Sequence, residues 1–253
     1  MLADLSKATT VYLTPILMLT ALFLILFAYL APAAMLHGQV ALLTVTPSTF
    51  LTQPGSNQQV DGPTMFAGLL GSCSKPNNAA SLYCISPSIS PTYSSYSRQP
   101  AVSDPHLTEL IDTSVFTSNT PSSVLAAPPA ATPAFLAVAL AFTVVFFVMY
   151  TGISFRHLMG KAGGVWEKPM VQRISAWIGM CSFVVGLASF LIIRMYFGKA
   201  ASDFNQSIQG QGTNGPQLIA NISNAFTMIW VGYSFFAIPV IVSLAKLHVL
   251  ATK

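Results

Sequence analysis

Charge is what this sequence has least of. Lys, Arg, Asp and Glu make up 7% of its 253 residues, where a soluble domain carries about a quarter. With 53% hydrophobic residues and a mean hydropathy of +0.63, a soluble globule would lack polar surface to keep it dispersed. The deficit points to lipid as the main solvent. The net charge of +4 is not arranged for nucleic acid. Its Lys and Arg sit in short segments beside apolar runs, and no basic stripe with interleaved aromatics is present.

Catalytic signatures are missing as well. The four histidines, His37, His106, His157 and His248, are scattered. There is no His-x-x-Glu-His set, glycine-rich phosphate loop or nucleophile elbow. No catalytic residue, metal site or cofactor is expected, and the chain reads as a non-enzyme. Cysteine is sparse too. Cys73 and Cys84 lie in a polar loop and Cys181 inside an apolar run. That pattern implies one disulfide in an oxidising compartment and one inert, buried thiol that serves packing.

What is abundant is long apolar sequence. Four runs, at Val11–Ala31, Ala134–Ser154, Ile174–Phe197 and Ala225–Leu247, each reach the roughly 20 residues that span about 30 Å of hydrocarbon as a helix. The first exceeds the usual length of a cleavable signal core, about 7–15 residues, so a retained anchor is expected. Pro15 is expected in its first turn, where proline is tolerated, and Pro239 is expected to bend the fourth run. Arg194 falls one turn before the end of the third run, where its head can reach the interface beside Lys199. No Asp or Glu lies inside any run, which argues against a proton-coupled transporter or a carboxylate-lined channel.

Basic residues set the expected orientation. Arg156, Lys161, Lys168 and Arg173 crowd the segment 155–173, Lys7 precedes the first run, and Lys246 and Lys253 end the chain. Short Lys/Arg-rich segments stay cytoplasmic. Both termini and the middle loop are therefore expected inside a plasma membrane, with 32–133 and 198–224 outside. The middle loop, with Trp166, is expected to lie on the anionic inner leaflet. Two Asn-x-Ser sequons, at Asn205 and Asn221, both fall in the second outer segment. Asn205 is the glycosylation candidate, since Asn221 lies close to the fourth run.

The first outer segment has two parts. Residues 39–85 hold strand-like pieces, Gln39–Thr46, Thr64–Leu70 and Ser81–Ile85, bounded by Pro, Gly and Asn. Residues 86–133 are rich in Ser, Thr and Pro and read as a loosely held stalk. Asp104, Glu109 and Asp112 in that stalk read as a solvated acidic face rather than a calcium loop. The most informative stretch is Gly68-Leu69-Leu70-Gly71-Ser72-Cys73, followed after ten residues by Cys84. It reads as a hairpin of two short strands closed by a disulfide, with Lys75-Pro76-Asn77-Asn78 as turn chemistry. A metal site lacks a neighbouring His, and a redox pair lacks Cys-x-x-Cys spacing.

The four runs, the long first outer loop and Gly68, Leu69, Cys73 and Cys84 resemble the claudin superfamily. Leu70 stands where claudins carry a Trp, and the loop has no upstream Trp. The form Gly68-Leu69-Leu70-Gly71-x-Cys73 with Cys84 downstream is closer to the fungal claudin-like proteins linked to low-affinity calcium influx and membrane fusion in mating. The cortical-patch and PalI-like proteins, which organise plasma-membrane domains, are the second choice. A small channel or transporter subunit is a further alternative.

The resemblance implies an all-α membrane fold: an antiparallel four-helix bundle topped by a small, disulfide-stapled extracellular β-sheet. It also implies a lipid bilayer, self-association or other membrane proteins such as calcium-influx components as partners, and no nucleic acid. Leu69, Leu70 and Tyr83 are expected to face partners from that sheet. In the third run Ser175, Gly179, Ser182, Gly186 and Ser189 recur at alternating spacings of four and three. Such a stripe lets helix backbones approach where lipid supplies no hydrophobic drive.

Overall fold

A run of apolar residues in lipid must satisfy its backbone internally, so each such run folds as a helix. The computed structural model describes residues 2–47, 64–75, 77–78, 81–89, 131–158, 160, 163–166, 168–211 and 218–251. In chain order the elements are α1 (Leu2–Leu30), β1 (Leu43–Pro47), β2 (Thr64–Ala67), β3 (Ser72–Lys75), β4 (Tyr83–Cys84), α2 (Ala131–Ser154), a 3₁₀ turn (Arg156–Leu158), α3 (Gly163–Trp166), α4 (Pro169–Gly210), β5 (Leu218–Ile222) and α5 (Ala225–Ala251). Four helices, α1, α2, α4 and α5, are long and apolar enough to cross a membrane. Asp61, Arg98, Asp104, His106, Glu109, Asp112 and most of 86–133 lie outside the described residues.

The chain divides into two compact units, one made of Met1–Phe27, Ala131–Ile192 and Thr227–Lys253, the other of Ala28–Ala130 and Ile193–Phe226.

The first unit is a helix bundle. Gly179 of α4 faces the Phe146 ring of α2, where a Cβ would come within 2.7 Å of it, and a Cβ on Gly186 would run into the Tyr233 hydroxyl. The Ser182 hydroxyl donates to the Ala139 carbonyl at 2.8 Å and shares a 2.6 Å hydrogen bond with Thr143. Residues 179 and 182 of α4 thus meet 146 and 139–143 of α2, an antiparallel register. Ser175, Gly179, Ser182, Gly186 and Ser189 are all buried. The α4/α5 pair is antiparallel too, since Phe183 meets Phe236 at 5.9 Å and Phe190 meets Tyr233 at 5.7 Å. Gly232 of α5 takes Ile25 of α1.

Around this aromatic core the outward side chains are also apolar, among them Phe135, Phe142, Val148, Trp177, Ile192 and Ile241. Helices apolar on every face belong in a lipid solvent. Several of their hydroxyls bond back to the carbonyl one turn earlier, as where Ser234 donates to the Trp230 carbonyl at 2.9 Å.

The second unit is a five-stranded antiparallel sheet in the order β4-β3-β2-β1-β5, flanked by helix. β1 alternates buried Leu43, Val45 and Pro47 with half-buried Thr44 and Thr46, as a strand with one covered face must. Its pairing with β5 joins Leu43 to Ile222 and Pro47 to Leu218.

Several expectations need correction. α4 does not stop at Phe197. It continues to Gly210, 42 residues in all, about 63 Å at the α-helical rise. The apolar run ends where Lys199 and Asp203 begin, yet Phe197, Ala200, Ala201, Phe204 and Ile208 stay buried, a stripe at helical period that keeps the helix going. The segment 198–224 is thus helix and strand rather than a plain loop. α1 starts at Leu2, so Pro15 is interior to it and not in its first turn. The expected pieces Gln39–Thr46, Thr64–Leu70 and Ser81–Ile85 give way to β1, β2 and β4, β3 is the Cys73 strand of the expected hairpin, and β5 is additional. Cys181 is exposed, because it lies off the buried stripe.

Candidate functional site

The hairpin β2–β3 carries the Gly-Leu-Leu-Gly-Ser-Cys stretch. Its strands pair from Thr64↔Lys75 to Ala67↔Ser72, and the Gly68 N–H donates to the Gly71 carbonyl at 2.9 Å. Leu69 and Leu70 are left as a two-residue tip. Hairpin tips usually face water, but this one points inward: Leu69 is 0% and Leu70 8% exposed. The expectation that these leucines face partners is therefore wrong, since their apolar surface is spent inside the unit. Tyr83, at 57% exposure, does face outward, and Ile85 and Ile89 further along the chain are exposed too.

The glycines are explained by what they touch. A Cβ at Gly68 would collide with the Ala31 carbonyl oxygen and the Pro32 ring, and one at Gly71 would meet the Ala33 methyl at 3.0 Å. The hairpin thus lies backbone to backbone on Ala31–Ala33, the first residues after α1. Cys73 Sγ rests 3.5 Å from the Pro32 carbonyl oxygen. Across β3–β4 the pair Cys73↔Cys84 is bridged by a disulfide. Below it the Ile85 N–H donates to the Ser72 carbonyl at 3.0 Å, and the Ser88 N–H to that of Leu70 at 2.7 Å. Gly68, Leu69, Leu70, Gly71, Cys73 and Cys84 are thereby one device. Two glycines allow the approach, two leucines fill the space beneath, and the disulfide ties on a short edge strand that has little apolar surface of its own to hold it.

At the opposite edge of the sheet a side chain stands in for a strand. Asn205, on α4, donates from Nδ2 to the Ala220 carbonyl at 2.9 Å and accepts from the Ala220 N–H at 2.8 Å through Oδ1. That two-pronged pairing closes the outer edge of β5, where open N–H and C=O groups invite another chain. The pairing uses one of the two Nδ2 hydrogens of Asn205, the sequon asparagine. Asn205→Asp replaces the donor by a carboxylate oxygen facing a carbonyl. It is expected to lower the unfolding midpoint by the equivalent of about 1–3 kcal/mol. An unfolding midpoint equal to that of the wild type would contradict this geometry. Asn224 makes a similar clip, donating to the Gln39 carbonyl at 2.8 Å and accepting from the Ala41 N–H at 3.3 Å. It ties the start of α5 to the segment before β1. Nothing in the sequence signalled either clip, because Asn is equally at home in turns.

Arg194 is not at a helix end. Its guanidinium stacks 5.1 Å from the Phe226 ring, and its Nη1 is buried with no hydrogen-bond partner among the described residues. The guanidinium thus packs on an aromatic face. Among the described residues no group of three or more His, Cys, Asp or Glu forms a metal cage. No protein-family model, curated protein or solved structure matches this chain.

Proposed function

We propose that this chain is a claudin-like, four-span plasma-membrane protein that supports calcium influx and membrane fusion at cell contact, of the kind used in fungal mating. The observation carrying the reading is the stapled hairpin, in which every residue of the Gly68–Cys73 motif and its Cys84 partner has a physical task. The motif is the part of the chain that resembles the fungal claudin-like branch. In this reading both termini and the segment 155–173 face the cytoplasm and the sheet lies outside. Working contacts are made by the exposed edge around Tyr83, Ile85 and Ile89, not by the buried Leu69 and Leu70. The four helices anchor the sheet, and no chemistry is performed on a substrate.

Cytosolic calcium imaging in cells with and without the protein, during mating or hyphal contact, tests the reading. A blunted calcium rise together with fewer fused pairs is the expected result. An unchanged rise with the protein held in immobile patches at all growth stages would replace this reading by that of a membrane-domain organiser.

A further inference from the structure

The segment that links α2 to α4 is basic in sequence and apolar in what it exposes. Over residues 155–173 it carries four basic side chains against one acidic. Leu158, Val165 and Met170 are nevertheless 71%, 55% and 70% exposed, and Lys168 and Arg173 are exposed as well. Apolar surface left in water costs free energy, so the depth at which these side chains sit decides what covers them.

The fold fixes that depth. The Phe155 N–H donates to the Thr151 carbonyl and the Leu158 N–H to that of Phe155, both at 2.9 Å, so the 3₁₀ turn runs straight on from α2. Gly163, the first residue of α3, lies against the Arg156 carbonyl, where a Cβ would not fit. Trp166, the last residue of α3, lays its indole on Gly152, where a Cβ would come within 2.9 Å of the ring. Gly152 is two residues inside the end of α2, about 3 Å along the helix axis. α3 is therefore drawn back against the end of a span instead of standing off into water. Trp166 is half-buried by this contact, and Val165 beside it is left outward. Leu158 closes the turn after α2, and Met170 lies in the first turn of α4. All three exposed apolar side chains thus sit at, or are packed back to, the end of a helix long enough to cross a membrane.

A side chain exposed at that depth meets the headgroup zone. There apolar groups reach the acyl boundary while Lys and Arg keep their charged heads among the phosphates. A soluble partner would have to enter the headgroup layer to cover the same surface, whereas lipid is already there. The excess of positive charge selects the anionic members of that lipid.

We propose that the link between α2 and α4 is an interfacial wedge. Leu158, Val165 and Met170 insert into the bilayer surface, and Lys168 and Arg173 gather acidic phospholipid around that end of the helix bundle. The inference rests on the membrane reading of the four helices and not on the calcium reading. A failed calcium assay leaves it standing, and its own failure leaves the calcium reading standing.

The test uses the full-length protein in nanodiscs of phosphatidylcholine and phosphatidylserine. A nitroxide attached to Val165→Cys, in a Cys181→Ser background, is expected to be relaxed more by oxygen, which concentrates among acyl chains, than by a water-soluble nickel chelate. Spin-labelled phosphatidylserine is expected to be held at the protein about twofold more than spin-labelled phosphatidylcholine, and Lys168→Gln/Arg173→Gln should bring that ratio to about one. Stronger relaxation by the nickel chelate would place Val165 in water, as a docking face for a soluble partner, and overturn the proposal. An equal preference for phosphatidylserine in wild type and the charge variant would overturn it too. Unchanged thermal unfolding of the charge variant separates lost lipid preference from lost fold. Should that variant fail to fold, the nitroxide at position 165 still reads the depth of the wedge with both cations in place.

Discussion

Among the described glycines, Gly68→Ala is expected to be the most damaging methyl addition. The new Cβ would fall on the Ala31 carbonyl oxygen and the Pro32 ring, and neither can swing away as a flexible side chain would. Relief requires the β2–β3 hairpin to lift off the segment after α1, which would uncover Leu69 and Leu70, both buried beneath it. Overpacking in a well-filled core costs about 1–3 kcal/mol, and loss of the leucine packing adds about 1.5–3 kcal/mol for each side chain exposed. The expected outcome is retention inside the cell and loss of surface protein. Two glycine neighbours give the scale. Gly71→Ala meets the Ala33 methyl at 3.0 Å and two carbonyl oxygens at ordinary contact distance, and should cost about 1 kcal/mol. Gly198→Ala, inside α4 with Ile222 at 3.8 Å, should be neutral or stabilise by up to about 1 kcal/mol through helix propensity. Surface labelling and thermal unfolding in detergent should rank the three as Gly68, then Gly71, then Gly198. Normal surface levels of Gly68→Ala would refute the close approach described here.

The second large effect concerns the staple. Removal of the Cys73–Cys84 bridge from so small a sheet is expected to cost about 2–5 kcal/mol, because β4 is two residues long and both of them are exposed. The two single variants should differ in kind. Cys73 is buried and Cys84 exposed. Cys84→Ser leaves a buried thiol that behaves as a small apolar group. Cys73→Ser buries a hydroxyl and leaves the Cys84 thiol in the open. Non-reducing gels should therefore show disulfide-linked dimers for Cys73→Ser and none for Cys84→Ser. The double Ser variant should match Cys84→Ser in its mobility while losing the fold of the sheet edge. Equal surface delivery and function of the double variant and wild type would remove the staple from any functional account.

The chemistry of the stretch from Gly68 to Cys73 was legible as letters before it was legible as shape. Glycines three residues apart around two leucines announce a close approach, but not what is approached. The partner is Ala31–Ala33, more than thirty residues earlier, and only the folded chain brings it there. The same gap explains the misreading of Leu69 and Leu70. An apolar tip between two strands looks like a contact surface unless something is known to cover it.

Local, additive signals settled the rest of what could be read. Four stretches apolar on all sides, a scarcity of charge within them and a basic bias at one set of connections are sums over neighbouring residues. They determined four long apolar helices and a disulfide-stapled sheet. Tertiary structure decided what depends on partners far apart in sequence. It paired β5 with β1, set Asn205 against the edge of the sheet and carried α4 on to Gly210 along a buried stripe. Strand register and side-chain clips carry no local signature, because their free energy is gained only when distant segments meet. A hydrophobic run declares its solvent wherever it lies.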